Sequence, residues 1–285
     1  MTSKTGEHQA TRGSDRETPS EWAYSSHEQF YRYYANASQS QVSLQRFASV
    51  REVVLRIAKQ RFPQQRILEV ADIGCGAGTQ CMLWAELGHH AHGLDVNEPL
   101  LKLGRERADK LGYAIDFRVG SATQLPWPDE SIDVCTMLEF LEHVEAWKAC
   151  VLECIRILKP GGILFLTTSN KLCPIQSEFN LPLYSWYPAG LKRHFERLAK
   201  TSKPELANFA KYPAVNWFTF YNLRRFLADQ RMRSLDRFDL VDSQKKNRVE
   251  RFLLKCVRSS PPFRFFAHVA SEGTIVLAVK EDGFK

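Results

Sequence analysis

The chain has 285 residues, with 39 Lys or Arg against 32 Asp or Glu and a formal net charge of +7. Its 44% apolar content is ordinary for a globular core, and no run of roughly eighteen apolar residues is present to cross a bilayer as a helix. Seven cysteines without a CxxC pair argue against a disulfide framework and for a reducing cytoplasm, and the length fits one α/β domain with embellishments.

Residues 1–20 are polar and mixed in charge, without the apolar stretch of a signal peptide, and are expected to form a disordered tail. Trp22, Tyr24, Phe30, Tyr31, Tyr33 and Tyr34 then cluster at the start of a segment, 21–66, expected to be a helical and aromatic lid. Within it Leu44, Phe47, Val50, Val54 and Ile57 recur at three- and four-residue steps, which predicts a helix over 41–61 that ends before Pro63.

A strand predicted at 67–72 breaks into Val70-Ala-Asp-Ile-Gly-Cys-Gly-Ala-Gly78. Gly74, Gly76 and Gly78 allow a tight turn and close approach of backbone to a ligand. Dinucleotide loops space their glycines G-x-G-x-x-G around a pyrophosphate. Here the third glycine comes one residue early, and Asp72 lies at the strand end. An acid there repels phosphate and suits a cationic, amino-acid-like ligand. About twenty residues on, Ala91-His-Gly-Leu-Asp95 reads as a second strand whose terminal carboxylate is placed to hold ribose hydroxyls.

The alternation continues with helices at 78–87 and 97–111, strands at 114–119 and 132–137, a helix at 145–158 and a strand at 162–168. Strands alternating with helices imply right-handed crossovers and a parallel sheet. Gly273–Lys280 is a further apolar strand. Between these, residues 169–215 contain five prolines among many aromatics, an irregular excursion. Residues 216–285 complete the sheet and contain a second excursion, 239–270. From Tyr221 to Arg258, eleven Lys or Arg stand against five Asp or Glu.

Gly120-Ser-Ala122, Leu125-Pro-Trp-Pro-Asp129, Ile132-Asp-Val-Cys-Thr136, Leu141-Glu-His-Val144 and Leu158-Lys-Pro-Gly-Gly162 fall in order after the glycine loop. Together these motifs resemble the class I S-adenosylmethionine-dependent methyltransferase family, closest to the ubiquinone-biosynthesis O-methyltransferase type, over roughly 67–168. The resemblance implies a doubly wound, Rossmann-like α/β fold: a seven-stranded sheet with helices on both faces, its last strand antiparallel beside a sixth near 232–238. It also implies that 67–168 is the S-adenosylmethionine-binding core, with Asp72 on the amino group, Gly74, Gly76 and Gly78 at the carboxylate end and Asp95 on the ribose. Val96, Ser121, Ala122, Leu138 and Glu139 complete the cofactor shell. Ser121 stands where the family commonly has Asp, so its adenine hydrogen bond lacks charge assistance.

If helical, Glu139, Glu142 and His143 project from one side. Two carboxylates and an imidazole could hold a divalent cation, and the same pattern occurs in relatives needing no metal, the reading adopted here. His143 is the candidate general base. Tyr34, Tyr184, Trp186 and Tyr187 are candidate acceptor-binding residues. The expected function is methylation of a small-molecule, quinone-like or lipid- or glycan-precursor oxygen. An RNA or protein methyltransferase using the basic surface and a non-catalytic cofactor-binding scaffold are the alternatives. Nucleic acid is disfavoured, since no RNA-binding module is evident. On the second excursion, Val249, Phe252, Leu253, Cys256 and Val257 form a helical stripe opposite Arg248, Arg251, Lys255 and Arg258. The favoured reading packs this stripe against the sheet edge; the alternative is contact with an anionic membrane surface, where the protein would collect a lipid-linked or anionic acceptor.

Overall fold

A computed structural model describes residues 38–62, 66–207 and 214–281; the aromatic run 22–34, with Tyr34, and Tyr212 lie outside the described residues. In chain order the elements are α1 (Gln41–Arg61), β1 (Glu69–Ile73), α2 (Thr79–Ala85), β2 (His90–Asp95), α3 (Glu98–Leu111), β3 (Ile115–Val119) and β4 (Ile132–Leu138). There follow α4 (Trp147–Ile157), β5 (Leu158–Ser169), α5 (Ala189–Thr201), α6 (Phe220–Asp229), β6 (Met232–Asp236), α7 (Arg248–Ser259), α8 (Pro261–Val269) and β7 (Gly273–Lys280). Side-chain caps set several starts: Ser40 accepts from the Ser43 N–H, Asn97 from Leu100, Thr219 from Asn222, and Asn247 closes a capping box with Glu250.

One seven-stranded sheet has the order β3-β2-β1-β4-β5-β7-β6. The first five strands run parallel, and β7 lies antiparallel between β5 and β6. Successive side chains of a strand point to opposite faces, and the core divides accordingly. Ala71, Ile73, Cys135, Met137, Leu164 and Leu166 pack with Cys150, Val151 and Cys154 of α4 and Leu223 and Leu227 of α6. Val70, Val134, Ile163 and Phe165 face the other way, onto Val54 and Ala58 of α1, Trp84 of α2 and Leu101 of α3. The strands thus carry apolar residues on both faces, as a sheet covered on each side requires. All seven cysteines are free thiols, six of them buried.

Three details differ from the sequence reading. The first excursion, read as irregular, contains the thirteen-residue helix α5, which can form because the prolines of the excursion lie outside it, Pro188 directly before its start. Strand β5 starts earlier than expected because Leu158 already pairs with Ile132, before an irregularity restores register at Val134 and Ile163. The apolar stripe of α7 does not pack on the sheet edge: Val249, Phe252 and Leu253 are exposed, and Leu254 is the buried residue of that helix. Polar anchors hold the excursion instead. Arg258 donates to the carbonyls of Phe238, Asp239 and Val241, and Arg264 and His268 of α8 both reach the buried Asp236.

Candidate cofactor and active site

The strand order reverses between β1 and β4, and ligands of open α/β sheets bind beyond the carboxyl ends of strands at such a point. The loop after β1 is built for close approach. Gly74, Gly76 and Gly78 have φ of 74°, 53° and 71°, a left-handed conformation that glycine adopts without penalty. Side chains are excluded at two of these positions. A Cβ on Gly74 would lie 2.4 Å from Phe140 Cδ2, and one on Gly78 would lie 2.4 Å from Phe117 Cζ. At Gly76 the nearest atom would be Leu100 Cδ1 at 3.9 Å.

Two carboxylates flank this loop. The Gly76 N–H donates to Asp95 Oδ2 and the Asn97 N–H to Asp95 Oδ1, each at 2.8 Å. Burial raises the Asp95 pKa, an effect opposed by N–H groups of Asn97, Gly76 and Val96. Asp72, at the end of β1, is buried opposite Thr136 of β4, whose hydroxyl donates to Asp72 Oδ1 at 2.6 Å. Burial pushes the Asp72 carboxyl up to about 7; the Thr136 hydrogen bond opposes this and the charge of Asp95 adds to it. A buried acid in this state is relieved by a cation. The donor set therefore fits a ligand with an ammonium group at Asp72, hydroxyls at Asp95 and a chain lying over the glycine backbone, as S-adenosylmethionine has.

Leu138 and Glu139 end β4. Glu139 takes φ 50°, unusual for a residue with a side chain and a feature that gathers at functional sites. Its N–H is held by the carbonyl and the hydroxyl of Thr167. Ala122 is buried in the core, whereas Ser121 is exposed and shares its hydroxyl with Thr123 at 2.7 Å, so its side chain shapes the turn.

The segment 139–143 is not one helix, which corrects the expectation of a shared face. Left-handed Glu139 precedes a 3-10 turn limited to Leu141–His143. Glu139 is exposed, His143 half-buried and Glu142 fully buried. Glu142 Oε2 accepts from the Thr168 hydroxyl at 2.8 Å, while Oε1 has no hydrogen-bond partner among the described residues. Burial raises Glu142 well above the carboxylate range, with Glu139 and Glu178 adding negative field. Among the described residues no group of three His, Cys, Asp or Glu is placed to hold a metal ion.

The first excursion closes over this loop. Val215 and Asn216 donate their N–H groups to the Glu142 carbonyl, and the Asn216 side chain donates to the carbonyls of Leu141 and Val144. It also supplies Glu178, unmarked in the sequence by any motif, whose carboxyl is pushed up to about 7 by burial and by Glu139. Tyr184 does not line an open surface, a second correction. It is fully buried, stacked on Phe179 with ring centroids 4.0 Å apart, and donates to the Lys192 carbonyl. An aromatic residue surrounded by others earns more from burial than from exposure. Tyr187 leans on the same cluster, and Trp186 is exposed with its indole N–H on the Leu172 carbonyl. Lys192 is buried there too, its ammonium 4.2 Å from the Trp217 ring, and burial and then Lys171 bring it down to about 8.

Residues 71–166 match a family model described as a methyltransferase domain. The ubiquinone biosynthesis O-methyltransferase of Maricaulis maris is 37% identical over 143 residues, covering 48% of this chain and 55% of that protein. The protein of the same name from Idiomarina loihiensis is 32% identical over 172 residues, covering 57% of this chain and 70% of that one. The chain thus spans just over half the length of the first of these relatives. An S-adenosylmethionine-dependent methyltransferase structure from Mesorhizobium loti shares the fold, with a TM-score of 0.52 at 16% identity over 80% of this chain and 97% of that one.

Proposed function

The chain belongs to the class I S-adenosylmethionine-dependent methyltransferase family, and on that premise we propose that it methylates an oxygen of a small-molecule acceptor that is quinone-like or a lipid or glycan precursor. The observation that carries this reading is the joint placement of buried Asp72, Asp95 and the three left-handed glycines at the sheet's switch point. The cofactor, when bound, supplies an already activated methyl on a sulfonium, so the chain's work is positioning and proton removal. Asp72 would take the ammonium, Asp95 the ribose hydroxyls, and Val96, Ser121, Ala122, Leu138 and Glu139 would border the rest.

His143, closing the turn after β4, is the proposed acceptor of the hydroxyl proton, since an imidazole exchanges protons near neutral pH. Residues 169–215, clamped to the 139–144 loop by Asn216, would form the acceptor side, with Trp186 and Tyr187 as contacts. The name these relatives carry makes phenolic quinone precursors the first acceptors to try. The test is cofactor-dependent turnover against such phenols, nucleotide- and lipid-linked sugars and amines. Transfer to a hydroxyl acceptor, lost in His143→Ala, supports the reading; transfer confined to amines overturns it.

A further inference from the structure

A surface helix ordinarily turns its apolar stripe to the core and its charges to water. The hairpin of α7 and α8 is built the other way round. On a 3.6-residue repeat, Leu254 lies opposite Val249, Phe252 and Cys256, and Leu254 is the inward residue of α7. Val249 and Phe252 are 67% and 65% exposed, and Leu253 stands beside them. In α8 the inward residues are Arg264 and His268, both on Asp236. Phe263 and Phe266 face out at 59% and 66% exposure, and Phe265 is exposed as well. The hairpin is therefore fastened by ion pairs and by the Arg258 bonds to carbonyls, and its outer surface carries six large apolar side chains.

The charges beside this surface name its partner. Arg248, Arg251 and Lys255 are exposed along one flank of α7. Ser243, Arg251, Leu254, Lys255, Arg258 and Ser259 line an open hollow of about 430 Å³ there, with Leu254 as its apolar floor. Hydroxyls and basic groups around a hollow suit a phosphate headgroup, and the adjoining phenylalanines suit the acyl boundary beneath it. Apolar residues on one side and a basic flank beside them is the division shown by helices that lie in an anionic interface.

We propose that the α7–α8 hairpin docks the protein onto an anionic bilayer surface, with Val249, Phe252, Leu253, Phe263, Phe265 and Phe266 at the acyl boundary and Arg248, Arg251 and Lys255 among the headgroups. The hairpin joins β6 to β7 at the carboxyl edge of the sheet. Gly273 pairs with Ser169 there, and Asn170 donates to the His268 and Ser271 carbonyls. Docking thus brings the bilayer to the side of the sheet assigned to the acceptor, which makes an amphiphilic acceptor the fitting class. That last consequence rests on the methyltransferase reading; the docking does not.

The test is co-sedimentation of the full chain with vesicles of phosphatidylcholine alone or mixed with phosphatidylglycerol. Binding to the mixed vesicles is expected, weakening as salt rises and falling at least about tenfold in Phe252→Ser/Phe266→Ser. Arg251→Glu/Lys255→Glu should lose the preference for the anionic vesicles. S-adenosylmethionine titration of the same variants should match the wild type, which shows that they fold. Failure of the enzymatic reading would appear in turnover and leave vesicle binding intact. The proposal is overturned if the wild type ignores anionic vesicles at low salt or if the phenylalanine variant binds as well as the wild type. It is also overturned if the wild type is a dimer that the phenylalanine variant dissociates without lipid, since the face would then belong to a second copy.

Discussion

The Gly76 N–H donates to Asp95 Oδ2 at 2.8 Å, tying the loop after β1 to the end of β2. The same carboxylate takes the Asn97 N–H through its other oxygen, so Asp95 fixes the glycine loop and the start of α3 together. The residue proposed to hold the ribose thus also sets the shape of the backbone over which the rest of the cofactor would lie, an arrangement that limits reorganisation on binding.

The glycines of that loop should respond differently to substitution. Gly74→Ala combines left-handed strain with displacement of Phe140 and should lower stability by about 2–4 kcal/mol. Gly76→Ala meets nothing closer than 3.9 Å and should lose only about 1–2 kcal/mol, the conformational part alone. Urea midpoints measure the difference; equal losses would contradict the assigned contacts.

Cofactor affinity should depend on pH through Asp72. Burial pushes its carboxyl up to about 7, and a bound ammonium favours the ionised form. Below that value binding must first release a proton, so affinity should fall by about tenfold per pH unit, and above it should level off. Asp72→Asn should be weaker at pH 8 and nearly flat between pH 5.5 and 8. A wild-type profile without this slope would remove Asp72 from the ammonium site.

Asp236 should prove the most sensitive acid of the C-terminal excursion. It is fully buried, accepts from Arg264 at 2.6 Å and His268 at 2.9 Å, and caps the N–H groups of Phe238 and Asp239. Burial would raise its pKa, but His268 and Arg264 outweigh that and hold it well below the usual range. A depressed carboxyl contributes stability that is full above the unfolded value near 4 and is lost as pH falls below it. Asp236→Asn should lower stability at pH 7 by about 3–5 kcal/mol, with the loss shrinking at acid pH. Proteolysis in that variant should start within 239–270. A loss independent of pH would contradict the ion-pair account.

Glu142 behaves in the opposite sense. Its raised pKa means that the wild type gives up stability as pH climbs from near 4 towards the folded value, because the unfolded chain ionises first. Glu142→Gln should therefore equal or exceed the wild type in melting temperature at pH 8 and lose that advantage at pH 4.5. Glu139, Glu142 and His143 do not share a face, and among the described residues no group of three such ligands is gathered, so magnesium should shift neither protein and chelator should leave turnover unchanged. Magnesium raising the wild-type melting temperature alone would restore the metal reading of Glu139, Glu142 and His143.

Much of this architecture was legible because its signals are local. The α1 span follows from Leu44, Val50, Val54 and Ile57, and the ends of β1 and β2 follow from glycines and acids at fixed spacing. What depends on distant partners was not. Glu139 breaks the helical projection through its own φ, imposed by Thr167 of the neighbouring strand. Tyr184 disappears beneath Phe179, Trp217 and Tyr187, which meet it through the path of the first excursion. Glu178 reaches Glu139 by the same path. The α7 stripe was correctly periodic, but periodicity says which residues share a face and nothing of which way that face turns; Asp236 and the carbonyls at 238–241 decide that.

The most direct test of the account is calorimetric titration of S-adenosylmethionine into the wild type and Asp95→Ala. Two hydrogen bonds to a charged acceptor are worth about 1.5–3 kcal/mol each, so the variant should bind at least about 100-fold more weakly while its melting transition stays cooperative. Near-equal affinities in two folded proteins would show that the cofactor does not rest on Asp95, and the site assigned to the end of β2 would be wrong.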